Sequence, residues 1–125
     1  MDYFEFLDKV INEGITSATL DYTEESEKEK LDGSVAGFNA CRKKTPEELI
    51  LVWQEANNKA NESFLDEMNN YWYYNCFKLE VEWVCNVVSA LLINEGHKPL
   101  FSWLPTANGC NKAAKIVGIN TIENA

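Results

Sequence analysis

Between Glu47 and Glu95 the chain contains neither glycine nor proline, and one apolar stripe runs through this stretch without losing helical phase. The stripe is Leu49, Trp53, Ala56, Ala60, Phe64, Met68, Trp72, Cys76, Leu79, Trp83, Val87 and Leu91, and taken literally it describes a single helix. At a rise of about 1.5 Å per residue that helix would be about 75 Å long, whereas a compact domain of this chain length spans about 35–40 Å. A break near Asn69 and Asn70, residues that tolerate turn conformations, resolves the conflict by giving two helices of about 35 Å lying side by side. The continuous alternative implies an elongated homodimer.

Start and stop signals divide the rest. Phe4, Leu7, Val10 and Ile11 recur at helical spacing before Gly14, so a short helix is expected over residues 2 to 13. A second begins near Thr23, whose hydroxyl caps free backbone N–H groups; its stripe is Leu31, Val35, Phe38 and Cys41, and Arg42, Lys43 and Lys44 close it. Thr45-Pro46-Glu47-Glu48 is a capping box with proline at the first helical position, so a third helix starts there. Tyr71 to Ile93 is apolar on most sides, which predicts the helix around which the others pack, and Gly96 is placed for a left-handed cap. His97 to Pro105 holds two prolines and reads as irregular; Thr106 then caps a last short helix that Gly118 ends. The expected fold is all-α: a compact bundle of four to five helices with a long apolar central helix.

One domain over residues 1 to 125 is expected, because 125 residues enclose one hydrophobic core while two would each be marginal. A hydrophobic fraction of 46% is that of a chain that folds rather than one that stays disordered. Lys78, Glu80 and Glu82 interrupt the richest apolar stretch, so no membrane span is expected, and the start Met-Asp-Tyr-Phe-Glu lacks the pattern of a signal peptide. A cytoplasmic location follows, and in that reducing compartment Cys41, Cys76, Cys85 and Cys110 are expected as free thiols packed in the core.

Charge is unevenly spread. The chain carries a formal −9, and residues 1 to 34, with ten acids against three lysines, supply −7 of it. Such a field repels phosphates and attracts basic surfaces, so direct nucleic-acid binding is disfavoured and a protein partner with a basic surface is favoured.

Catalytic patterns are absent from the sequence. A zinc site needs about four convergent ligands, yet Cys76 and Cys85 are nine residues apart and so face opposite sides of a helix. The single histidine, His97, falls in the irregular stretch, and neither Leu31-Asp32-Gly33-Ser34 nor Thr106-Ala107-Asn108-Gly109 has the glycines of a phosphate cradle. No enzymatic activity, cofactor or metal is expected.

Three surface patterns remain. Asn75, Lys78, Glu82, Asn86 and Ser89 form one polar line at helical spacing, read either as a solvated face or as a polar seam in a groove or interface. Glu48, Glu55, Glu62 and Asp66 form an acidic line, with Glu55 and Lys59 spaced for an ion pair. Together with Glu24, Glu25, Glu27, Glu29 and Asp32 these carboxylates would imitate a run of phosphates. Tyr71-Trp72-Tyr73-Tyr74 faces every side of its helix, so part of it must approach the surface, and Trp72 and Tyr73 are candidate partner anchors.

Four runs carry a likeness to known proteins: Val35-Ala36-Gly37-Phe38-Asn39-Ala40-Cys41, Thr45-Pro46-Glu47-Glu48-Leu49, Glu80-Val81-Glu82-Trp83-Val84-Cys85-Asn86 and Pro105-Thr106-Ala107-Asn108-Gly109. Over residues 31 to 119 the chain resembles small proteins of bacteriophages and prophages. The resemblance implies a phage-associated setting, in which small acidic proteins often bind and disable host machinery; it carries no activity and no site residues.

The leading expectation is thus a phage-encoded acidic inhibitor that binds a host nucleic-acid-handling or defence complex, of the anti-CRISPR or anti-restriction type. A structural or regulatory helical homo-oligomer is the alternative, and a small-molecule binder using the polar line is the second.

Overall fold

The computed structural model describes residues 1–65 and 70–119, and among these it contains five α-helices and no strand: α1 Tyr3–Asp21, α2 Lys28–Ala40, α3 Pro46–Leu65, α4 Tyr71–Asn94 and α5 Ala107–Val117. A single 3-10 turn, Glu25–Glu27, leads into α2. The all-helical bundle is as expected. One hydrophobic cluster draws on every helix, with Phe6, Leu7, Val10 and Ile11 of α1, Phe38 of α2, Leu49 of α3, Val81, Val84, Val87 and Val88 of α4 and Ala113 of α5 among its buried members.

The long stripe is divided into two helices. Cys85 reaches the carbonyl of Leu49, Trp53 bonds Glu82, and the rings of Phe64 and Tyr71 meet at 5.7 Å, so α3 and α4 run antiparallel. The expected break falls partly outside the described residues, at Asn69; Asn70 is an exposed turn residue immediately before α4. Part of the stripe also leaves the core. Leu49, Ala56 and Ala60 are buried, but Phe64, Trp72 and Leu79 are 66%, 49% and 45% exposed.

Two expected boundaries are corrected. Helix α1 continues through Gly14 to Asp21, since the absent side chain of Gly14 leaves the space that the Phe38 ring fills. Its start is capped by Asp2, which accepts from the amide of Glu5 at 2.9 Å. Thr23 caps nothing: Glu24 and Glu27 hold the cap positions of the 3-10 turn and of α2, with no side-chain cap on either. The buried side of α2 is also broader than the stripe of Leu31, Val35, Phe38 and Cys41. Gly33, Ser34, Gly37 and Phe38 are buried while Leu31 and Val35 are half-buried, because α2 approaches α4 through its glycines.

That approach sets the register of the bundle. A Cβ on Gly33 would collide with the carbonyl of Tyr73, and one on Gly37 with that of Phe77. Both steps advance by four residues, so α2 and α4 run parallel at backbone contact. Helix α4 touches all four other helices, and Val84 to Leu91 is buried on every side.

The remaining signals act as the sequence indicates. Thr45 and Glu48 exchange reciprocal bonds, Thr45 N–H to Glu48 Oε1 at 3.0 Å and Glu48 N–H to Thr45 Oγ1 at 3.2 Å, which hold the Glu48 carboxyl below its usual range. Gly96 adopts φ +83°, and the amides of Gly96 and His97 return to the carbonyls of Ile93 and Leu92, a complete Schellman cap. Gly118 ends α5 in the same left-handed conformation.

Gly33→Ala should destabilise the fold by about 1–3 kcal/mol, because the added methyl meets backbone rather than a side chain that can move aside. Its gain in helix propensity, about 0.5–1 kcal/mol, opposes this and is smaller. A lower urea midpoint at unchanged m-value is the expected result.

Candidate protein-interaction surface

The parallel register of α2 and α4 brings two sequence-distant features to one end of the molecule. With Gly33 seated on Tyr73, the start of α2 lies beside the start of α4. Lys30 consequently places its ammonium 4.6 Å from the centroid of the Trp72 ring, a cation–π contact. Trp72 is half exposed and stacks edge-on to Tyr71 at 5.1 Å, and the exposed Phe64 and Leu65 extend this apolar surface. Tyr73 is half-buried against Tyr74 and Phe77.

The acidic segment leads into this end. Glu24, Glu25 and Asp32 are exposed, and Glu27 and Glu29 half-buried. Among the described residues the ion pairs are Arg42–Asp8 at 3.6 Å and Lys112–Glu13, so none of these five carboxylates is neutralised by a partner. On α3, Glu55 and Glu62 are exposed and Glu48 serves the capping box, while Asp66 lies outside the described residues.

The polar line of α4 behaves differently in its two halves. Asn75 and Lys78 are half-buried near the aromatic end. Beyond them the line turns inward. Glu82 accepts from the Trp53 indole at 3.2 Å, and Asn86 makes two bonds of 2.8 Å to Thr106, donating to its hydroxyl and accepting from its amide. Ser89 accepts from the amide of Leu100 at 3.0 Å. Asn86 and Ser89 are 6% and 0% exposed, so the solvated-face reading fails there. The segment after Gly96 folds back over this face of α4 and offers its own polar groups, which spacing within one helix does not reveal. The same contact accounts for Gly109, whose missing side chain leaves room for the Asn86 amide.

All four cysteines are buried free thiols. Burial pushes the Cys85 thiol up to about 12, and Cys41 and Cys76 are raised for the same reason, so each favours the protonated form and packs as a small apolar group. His97 is exposed. Among the described residues no group of three His, Cys, Asp or Glu side chains converges to hold a metal, and no helix is long and apolar enough to cross a membrane.

A cleft of about 340 Å³ between α1, α2, α4 and α5 is lined by Glu13, Asp21, Tyr22, Glu80 and Lys112. Burial raises the Glu80 pKa, the nearby Asp21 charge adds to this, and a hydrogen bond with Ser34 opposes it. Compared with known proteins, the chain matches no family model, no curated protein and no solved structure.

Two substitutions check this arrangement. Asn86→Ala should cost about 1–3 kcal/mol, since it removes two hydrogen bonds to Thr106, each contributing about 0.5–1.5 kcal/mol, and the Thr106 amide should lose protection from hydrogen exchange. At Glu80 the folded state holds its proton more tightly than the unfolded state. As pH rises above the ordinary glutamate value of 4.5 the unfolded chain ionises first, so stability falls until the raised folded value is passed and then stays lowered. Glu80→Gln should therefore be more stable than the parent at pH 7, with the difference vanishing in acid, as read from paired denaturation curves.

Proposed function

We propose that this chain is a non-enzymatic binding protein that covers a basic surface of a nucleic-acid-handling or defence protein, as an anti-CRISPR or anti-restriction inhibitor does in a phage setting. The observation that carries the reading is the unpaired acidic segment Glu24 to Asp32 joined, through Lys30 on Trp72, to an exposed aromatic end. Carboxylates presented in series attract the arginines and lysines that otherwise hold phosphates and accelerate encounter. A half-exposed tryptophan supplies the desolvated anchor that charge alone does not, because interface energy concentrates on a few aromatic and arginine contacts. In this reading α4 is the long apolar central helix that keeps both features in place, and no cofactor, metal or nucleic acid is needed.

The exposed Phe64, Leu65 and Trp72 favour a second reading, a homodimer through the same end. Sedimentation separates the two: a strict monomer at high concentration removes the dimer, and a dimer lost in Phe64→Ser/Trp72→Ala supports it.

Reversing Glu24, Glu25, Glu27 and Glu29 to lysine changes the charge by eight units, four carboxylates becoming four ammonium groups. Folding should suffer modestly, by a few tenths to about 1 kcal/mol per helix-start carboxylate. Recovery of a nuclease, surveillance complex or DNA-binding protein from bacterial lysate at low salt should fall at least about tenfold, and its salt dependence should flatten. Unchanged recovery by the folded variant would remove the acidic segment from the interface.

A further inference from the structure

Residues of α2, α3 and α4, Tyr73 among them, line a cleft of about 540 Å³. Its wall of Val52 and Ala56 is apolar, and Tyr73, Tyr74 and Phe77 line it with aromatic rings whose centroids are 5.3 and 6.3 Å apart. Lys44 and Lys59 also line it, and among the described residues that do so Glu55 is the sole carboxylate. In a chain with a formal charge of −9 this cleft therefore carries a net +1, two ammonium groups against one carboxylate.

Neither lysine forms an ion pair among the described residues, although, after the Thr45 hydrogen bonds, the Lys44 charge helps to lower the Glu48 pKa. Nor does Glu55 form one, although Glu55 and Lys59 are spaced four apart on α3. Lys44 is held at the rim by its backbone, whose carbonyl accepts from the Tyr3 hydroxyl at 2.8 Å and whose amide returns to Cys41 at 3.3 Å. The site thus pairs a cationic rim with apolar side chains and with rings that stand edge-on, at 88° for Tyr73 and Tyr74, or tilted, at 41° for Tyr73 and Phe77, in a volume within the roughly 300–1,000 Å³ of small-molecule sites.

We infer that this cleft binds a planar aromatic monoanion, with the ring against Tyr73, Tyr74 and Phe77 and the anionic group, a carboxylate, sulfonate or phosphate ester, between Lys44 and Lys59. The inference is independent of the acidic surface. A cation is disfavoured by the net positive charge, and an uncharged ring would leave that net charge unmatched.

Anilinonaphthalenesulfonate, an aromatic monoanion whose emission rises in an apolar site, tests this in the intact folded chain. One saturable site per chain is expected, weakened at least about tenfold in Lys44→Ala/Lys59→Ala, with both parent and variant unfolding cooperatively. Phenylnaphthylamine, the same ring system without the sulfonate, should bind the parent at least about tenfold more weakly. Val52→Trp, which fills the cleft from its wall, should remove the site while both lysines remain. No saturable binding would overturn the inference, as would equal affinity for the two dyes or an unchanged affinity in both variants, which would place the dye on the exposed Phe64–Trp72 surface instead.

Discussion

Backbone contact between α2 and α4 governs the arrangement of this bundle. Gly33 and Gly37 have no side chain to hold the helices apart, so Tyr73 and Phe77 present their carbonyls directly to α2. Ordinary helix pairs separated by side chains tolerate small slips of register, but a contact between backbones does not, because neither surface can repack. Parallel alignment at this register carries Ser34 to Glu80 and Lys30 to Trp72, and it leaves the start of α2, with its carboxylates, at the same end as the exposed aromatic rings. The surface assigned to partner binding is therefore a consequence of packing several residues away from it.

A second constraint acts at the other end of α4. Once Val84 to Leu91 is surrounded, any polar group there must find a partner inside the protein. Asn86 and Ser89 find theirs in Thr106 and Leu100, so the irregular stretch after Gly96 is held by side chains of α4 as well as by the packing of Leu104. Thr106 serves twice, accepting from Asn86 and capping α5 through the amide of Gly109. The polar seam is thereby structural in its buried half, and only Asn75 and Lys78 remain near surface available to a ligand.

These two constraints separate the molecule's charges. The acidic segment holds Lys28 and Lys30 among its carboxylates but forms no ion pair among the described residues, while Arg42 is committed to Asp8, Asn12 and Asn39, and Lys112 to Glu13. Lys44 and Lys59 are gathered instead on the cleft between α2, α3 and α4. One surface is thus proposed to meet a basic macromolecule and another a small anion, and the same helix, α4, supplies aromatic groups to both.

The sequence by itself determined the helices wherever a local signal decided the matter. The Thr45–Glu48 capping box, the Gly96 and Gly118 caps and the Thr106 start all depend on bonds closed within four or five residues, so they are legible without knowing the fold. Division of the long stripe followed from length alone. Where the sequence reading failed or stayed open, a distant residue decided: Gly14 reads as a helix end until Phe38 is seen in its place, and Asn86 and Ser89 read either as a wet face or as a polar seam until residues 97 to 106 are laid over them. The acidic and aromatic residues of the interaction surface were each visible as composition, but their adjacency was not, and Lys44 and Lys59 gave no signal of sharing a cleft. Only the tertiary structure decided these points, because which residues forty positions apart meet is set by how closely two backbones approach, and that depends on both helices at once.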